Sequence, residues 1–394
     1  MTERKHLNWA FSQSCMRSSL CCVTGLLISV LILPHALAMN EADMVPPQRS
    51  RRGFHAAPPG GKRTRAEHES ADTDSSPASA LGSAITPAMV LPALLDIDGS
   101  VLEGGGQIIR ITSALSALLG TPIRLDKIRA GRNKGGFAAQ HAAGLNLVGQ
   151  LCGAALSGAS IGSSTATMRP GILANGGQFT ADAGTAGATM LMLQSALPCC
   201  CFAAPGGAPA RTQLVLKGGT NVPFAPQLEY MEHVTLATMR RVLGIKVGFS
   251  LKRRGCFPRG GGEVAVDITP LPTSLSCFEI VDRGHVTHIG GRVWTSGRLH
   301  HTPLSEDIAS ACKRALGAQA HLAAIPINIE ISPGGEGGSG GSDGCGVVLW
   351  AVTSTGCILG GSGLLDKKAN GLGAARLVAD TAVDELSSEL CVVW

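Results

Sequence analysis

Two hydrophobic periods alternate from about residue 94 onward. Apolar runs at 94–98, 122–128, 177–182, 211–217, 245–252 and 263–269 have strand length and composition. Between them, segments rich in Ile, Leu and Ala at 105–119, 138–152, 186–202 and 226–243 have helical length. Two short strands ending at Arg169 complete the first set. The order is βαβαββ, stated twice, with a period of roughly 80–90 residues set by equivalent turns at Glu103 and Thr185. Further on, strands are predicted at 278–280, 289–294 and 327–331. A helix is predicted at 306–316 with Ser305 as its N-cap. Residues 334–346 hold eight glycines and read as a flexible loop, followed by a hairpin-like pair at 347–352 and 356–359. A last helix spans 370–390, before an apolar end at 391–394.

Composition changes this picture little. The chain has 394 residues, 44% hydrophobic and 15% charged, enough for a buried core and for two domains. Aromatic residues are only 4%, so the core must come from aliphatic side chains. A net charge of +5 is too small to argue for nucleic acid by itself. Thirteen cysteines include no C-x-x-C pair, which favours buried reduced thiols over metal ligation. Residues 1–92 stand apart. An apolar run at 23–33 behind Arg4, Lys5 and Arg17 has the form of a secretory signal. An untranslated extension, with Met39, Met44 or Met89 as the start, is the alternative. Basic clusters at 49–52 and 62–65 have the form of a bipartite nuclear signal or a disordered basic tail, and 70–88 reads as a linker.

Two stretches carry candidate chemistry. The first is Glu103-Gly104-Gly105-Gly106-Gln107-Ile108-Ile109-Arg110, glycines at a strand-to-helix junction where free N–H groups and the helix dipole favour an anion. The second holds Lys127, Arg129, Arg132 and Lys134 beside glycines, then Gln140-His141 opening a helix. Arginine suits phosphate because its guanidinium donates in a planar fork. Taken singly, a plain βα turn is the alternative for the first stretch and a solvated basic loop for the second.

Together they resemble the RNA 3′-terminal phosphate cyclase family, whose pattern runs acidic-GGGQ-aliphatic-Arg, then IRA-x-R, then Gln-His. Ile128-Arg129-Ala130-Gly131-Arg132 supplies the middle part. Met168-Arg169-Pro170-Gly171, Gly184-Thr185-Ala186-Gly187 leading to Gln194, Lys217-Gly218-Gly219-Thr220-Asn221 and Phe257-Pro258-Arg259-Gly260-Gly261-Gly262 follow in order. The resemblance covers about 94–386 and implies an α/β (α+β) fold, with repeated βαβαββ units forming a large domain and a smaller α/β domain inserted in the third unit. The expected organisation is leader and linker 1–92, two repeats at 93–277, the inserted domain at 278–365 and the start of a third repeat at 366–394.

The implied activity is ATP-dependent conversion of an RNA 3′-terminal phosphate to a 2′,3′-cyclic phosphate, through enzyme-AMP and RNA-adenylate intermediates, in the nucleus or, if the leader is used, elsewhere. RNA and ATP are the implied partners, with Mg2+ or Mn2+. By the same resemblance Glu103, Arg110, Arg129 and Arg132 are catalytic, and Glu103 also places the metal. Gln107, Lys134, Gln140 and His141 contact RNA or phosphate, and Gln194 contacts the nucleotide. Core packing is the alternative for His141 and Gln194, and Arg169 reads as structural. In the family a nucleophilic histidine and a Leu-x-Asp-Gln motif follow the matched segment. This chain holds no Leu-x-Asp-Gln, and none of its body histidines has the nucleophile's context. The expectation is therefore a C-terminally truncated cyclase. The alternatives are an inactive RNA-binding relative of the ribosome-biogenesis branch, which loses the GGGQ and Gln-His kept here, and a non-functional fragment.

Overall fold

The computed structural model describes residues 93–101, 105–202, 210–271, 275, 278–333, 342–365 and 373–391. The leader, linker and basic clusters of 1–92, together with Glu103 and residues 334–341, lie outside the described residues.

The first unit is β1 (Leu95–Asp98), α1 (Gly106–Leu119), β2 (Ile123–Asp126), α2 (Ala139–Leu151), β3 (Ala155–Ser157) and β4 (Ala166–Arg169). Its sheet runs β1-β2-β4-β3, with β1 and β2 parallel and the other pairs antiparallel. The second unit repeats the plan. It comprises β5 (Gly177–Asp182), α3 (Thr189–Cys201), β6 (Thr212–Gly218), a long helix α4 over 228–243, β7 (Lys246–Arg253) and β8 (Gly262–Thr269), in the order β5-β6-β8-β7. The βαβαββ repeat read from hydrophobic spacing is thus present strand for strand. The parallel pair places the C-terminal ends of β1 and β2, and of β5 and β6, at one edge of each sheet, where α/β folds bind ligands. α1, α2 and α3 pack together, and both units share one core that includes Ile109, Leu125, Leu145, Met192, Leu197, Leu214 and Val266.

Two helices differ from the expected spans. α3 begins at Thr189 rather than 186, because Ala186–Ala188 are used in the turn before it. α4 is interrupted by a π-helical turn at Met231–Thr235, where one extra residue per turn is accommodated.

The remaining chain forms a second lobe with its own core. Its elements are β9 (Val286–Ser296), α5 (Leu304–Gly317), β10 (Ile327–Ile331), β11 (Gly344–Thr353), β12 (Ile358–Leu364) and α6 (Gly373–Cys391). The order β10-β9-β11-β12 puts its first strand inside the sheet, so this lobe is not another copy of the βαβαββ unit. α6, the helix expected to start a third repeat, packs on β12 and β11 and against α5. A Cβ on Gly363 would overlap the Val378 carbonyl, so glycine there is what lets α6 approach the sheet.

Three local expectations are corrected. Residues 278–280 are not a strand and pair with nothing in a sheet. Pro303, not Ser305, occupies the N-cap of α5, and the buried Ser305 hydroxyl instead donates to Glu306 at 2.9 Å. Gly344–Gly346 belong to β11, paired with Trp294–Ser296 across the sheet, rather than to a loop.

Candidate active site

The turn after β1 is fixed by its own side chains. Asp98 accepts from the Ser100 N–H at 2.9 Å and pairs with Lys127 Nζ at 2.8 Å. That pair ties the first glycine turn to the start of the basic loop. The Lys127 ammonium, then the Ser100 hydroxyl, hold the Asp98 carboxyl far below the usual carboxylate range. The loop is pinned at both ends by buried Ile128 and Phe137. Between them Arg132, Asn133, Lys134 and Gly135 are exposed. Arg129 adopts φ +53° and donates from Nη1 to the Gly136 carbonyl at 2.8 Å. A left-handed conformation is costly for a residue with a Cβ, and such positions cluster at functional sites.

The two stretches meet at the N-terminus of α1. His141, 7% exposed, lays its imidazole over Gly106, where a Cβ would overlap the ring. The third glycine of the GGGQ stretch is therefore glycine because the histidine of Gln-His packs on it. Arg132 Nη2 would lie 3.7 Å from a Cβ on Gly105, which sets that guanidinium beside the helix N-cap. Arg110 and Arg129 both act electrostatically on His141, and Arg132 acts on Arg129. Three guanidinium groups, a helix N-terminus and one imidazole thus form a single cluster.

Burial, then the charges of Arg110 and Arg129, lower the His141 pKa from 6.5 to about 3. Burial and the neighbouring Arg132 also lower that of Arg129. The imidazole is therefore neutral at physiological pH, and its buried Nδ1 has no hydrogen-bond partner among the described residues. Cations crowded together at a helix N-terminus repel one another and favour an anion between them.

The remaining expected residues divide. Gln107 is exposed on the first turn of α1, and Lys134 is exposed in the loop. Gln140 Oε1 accepts the N–H of Ala188, the N-cap residue of α3 in the second unit, at 2.8 Å. Gln194 lies half-buried on α3, linked to the cluster through the helix start that Gln140 holds. Arg169 is exposed on β4. Glu103, expected to place a metal, is outside the described residues, among which no three His, Cys, Asp or Glu side chains gather as a metal site. No helix among the described residues is long and apolar enough to cross a membrane.

A second polar cluster was not singled out from sequence. Arg254, 2% exposed, donates to Glu229 at 2.6 Å and to Asn221 Oδ1 at 2.9 Å, and its guanidinium stacks 4.5 Å from the Trp294 ring centre. Trp294 Nε1 donates to Gln227 Oε1 at 2.8 Å, and Gln227 Nε2 to the Gly363 carbonyl at 3.0 Å. The only sequence signal was Thr220-Asn221 within a family motif.

Two predictions follow from the His141–Gly106 contact. Gly106→Ala should cost about 1–3 kcal/mol, the usual penalty of overpacking a filled site, and should displace His141. Denaturant unfolding measures the first effect, and an unchanged midpoint would contradict it. The second concerns pH. Because the folded state holds His141 well below its unfolded pKa, its contribution to stability is complete above about pH 6.5 and declines as pH falls toward about 3. His141→Gln should flatten the stability profile in that window; a profile as steep as the parent's would refute the assignment.

Comparison with known proteins gives the family. The sequence pattern of the family described as RNA 3′-terminal phosphate cyclase matches residues 101–394. The chain is 35% identical over 315 residues to a protein named RNA 3′-terminal phosphate cyclase from Hyperthermus butylicus, covering 76% of this chain and 83% of that one. It is 36% identical over 290 residues to a probable RNA 3′-terminal phosphate cyclase from Dictyostelium discoideum, covering 73% of this chain and 64% of that one. A Methylococcus capsulatus protein of the same name is 39% identical over 251 residues, covering 62% and 67%. With a family match over most of its length and relatives that share 35–39% of its residues, the chain belongs to the RNA 3′-terminal phosphate cyclase family.

Proposed function

We propose that this chain recognises the 3′-terminal phosphate of RNA at the α1 N-terminus and serves its ATP-dependent conversion to a 2′,3′-cyclic phosphate. The observation that carries the proposal is the grouping of Arg132 beside Gly105 with a neutral, buried His141 that packs on Gly106 and feels the charges of Arg110 and Arg129. A terminal phosphate presents anionic oxygens to guanidinium forks and helix N–H groups at once, which such a cluster recognises better than a neutral end. The unpartnered His141 Nδ1 supplies one more position for a hydrogen bond to phosphate or ribose.

In the proposed reaction an oxygen of the terminal phosphate is joined to AMP, which arrives from ATP through an enzyme-bound adenylate with release of pyrophosphate. The neighbouring 2′-oxygen then attacks the activated phosphorus, its proton passes to solvent, and AMP leaves. The arginines would stabilise charge on the phosphate oxygens as the 2′-oxygen approaches. Gln194 would lie on the nucleotide side, and Glu103 would serve a Mg2+ or Mn2+ ion.

The test is an RNA carrying a ³²P-labelled 3′-phosphate. With ATP the label should become resistant to phosphatase, and without ATP it should remain sensitive. Binding of the phosphorylated end with no ATP-dependent protection would instead support an RNA-binding protein without the reaction. Absence of both would overturn the proposal.

A further inference from the structure

We infer that Asn221 is a positioning residue for the phosphate site, held by the buried Arg254–Glu229 pair and acting through the start of α3 on Gln140. The inference rests on the function proposed above for the site itself.

The connection can be followed atom by atom. Asn221 Nδ2 donates to Glu229 Oε2 at 2.7 Å, while its Oδ1 accepts from Arg254 at 2.9 Å and from the Thr220 hydroxyl at 2.7 Å. The Thr220 and Asn221 N–H groups both donate to the Gly255 carbonyl, at 2.8 and 3.2 Å, which locks the Gly219–Asn221 turn against the end of β7. Gly219 in turn donates to the Gly187 carbonyl at 2.8 Å. Its own carbonyl accepts the Thr189 N–H at 2.9 Å and the Thr189 hydroxyl at 3.0 Å. The residue between Gly187 and Thr189 is Ala188, whose N–H is held by Gln140. Gln140 adjoins His141, which packs on Gly106.

Every side chain on the first part of this path is buried: Thr220, Asn221, Glu229, Arg254 and Thr189. Burying an ion pair carries a desolvation cost that well-packed apolar residues would avoid, so its presence argues for specificity of arrangement more than for stability. What it arranges here is the Gly219–Asn221 turn, whose Gly219 bonds to both Gly187 and Thr189 at the start of α3. The same network reaches the second lobe through Gln227 and Trp294, so the turn is braced from both sides.

The test uses two variants of the whole chain. Asn221→Ser breaks the side-chain contacts with Arg254 and Glu229. Thr189→Val removes only the hydroxyl bond to Gly219 and leaves the ion pair intact. Each should accelerate amide hydrogen exchange at Ala188 and weaken binding of 3′-phosphorylated RNA by about tenfold, a usual size for coupling between neighbouring sites. Combined with Gln140→Ala, neither should weaken binding beyond Gln140→Ala alone, because they act through the same contact. Additive losses in the double variants, or unchanged Ala188 exchange with only a lowered melting temperature, would overturn the inference. If the parent chain shows no preference for a 3′-phosphate, the reading of the site fails instead, and Ala188 exchange still decides the positioning role.

Discussion

Replacing Arg129 and Arg132 together by glutamine is expected to weaken binding of 3′-phosphorylated RNA by two orders of magnitude or more. A hydrogen bond to a charged group contributes about 1.5–3 kcal/mol, and the two side chains come from one loop beside the start of α1. Arg132 is exposed and flanks Gly105, so its loss should leave the fold intact. Arg129 also donates to Gly136, so part of its effect should come through loop geometry. Removing two phosphate contacts from a single-stranded ligand should also lower the salt dependence of binding, by about 0.7 in the logarithmic slope for each. Fluorescence anisotropy across a salt series measures both. A loss of less than tenfold with an unchanged slope would mean that the phosphate sits elsewhere.

Glu229→Leu carries the largest expected effect on stability. Arg254 is 2% exposed, and Glu229 is its carboxylate partner at 2.6 Å. Removing one member of a buried pair leaves the other charged and desolvated, at a cost of about 3–5 kcal/mol. The double variant Glu229→Leu with Arg254→Met removes both charges and should recover a large part of that loss, because no isolated charge remains. Thermal or denaturant unfolding of the three proteins gives the comparison. A double variant as unstable as Glu229→Leu would show that shape rather than charge governs this seam.

The order of elements was legible because each buried strand and amphipathic helix imposes its own period, and both βαβαββ units followed it. The exceptions arose where tertiary pairing overrides local signal. Gly344 and Gly346 offer no side chain to reveal a strand, yet they pair with Ser296 and Trp294, about fifty residues earlier in sequence. Phe278 and Ile280 lack a neighbouring strand and stay irregular. Ser305 reads as a cap, but the helix already begins at Leu304 with Pro303 as its N-cap.

The site shows the same division. Arginines beside glycines announce an anion site because their chemistry is local. That Gly106 must be glycine to admit His141 is a contact between residues 35 apart along the chain, and no spacing rule reveals it. Gln140 reads as a phosphate ligand, and only the fold shows that its side-chain oxygen also accepts the Ala188 N–H. Asn221, Glu229 and Arg254 come from three separate parts of the chain and become a cluster only in the fold.

The central claim is that the charged cluster at the α1 N-terminus distinguishes a phosphorylated RNA end from a hydroxyl end. The direct measurement is the equilibrium affinity of the unmodified chain for two RNAs of identical sequence, one ending in a 3′-phosphate and one in a 3′-hydroxyl. Gaining charge-assisted hydrogen bonds to the terminal phosphate predicts a preference of about tenfold or more. Equal affinities for the two ends would contradict it.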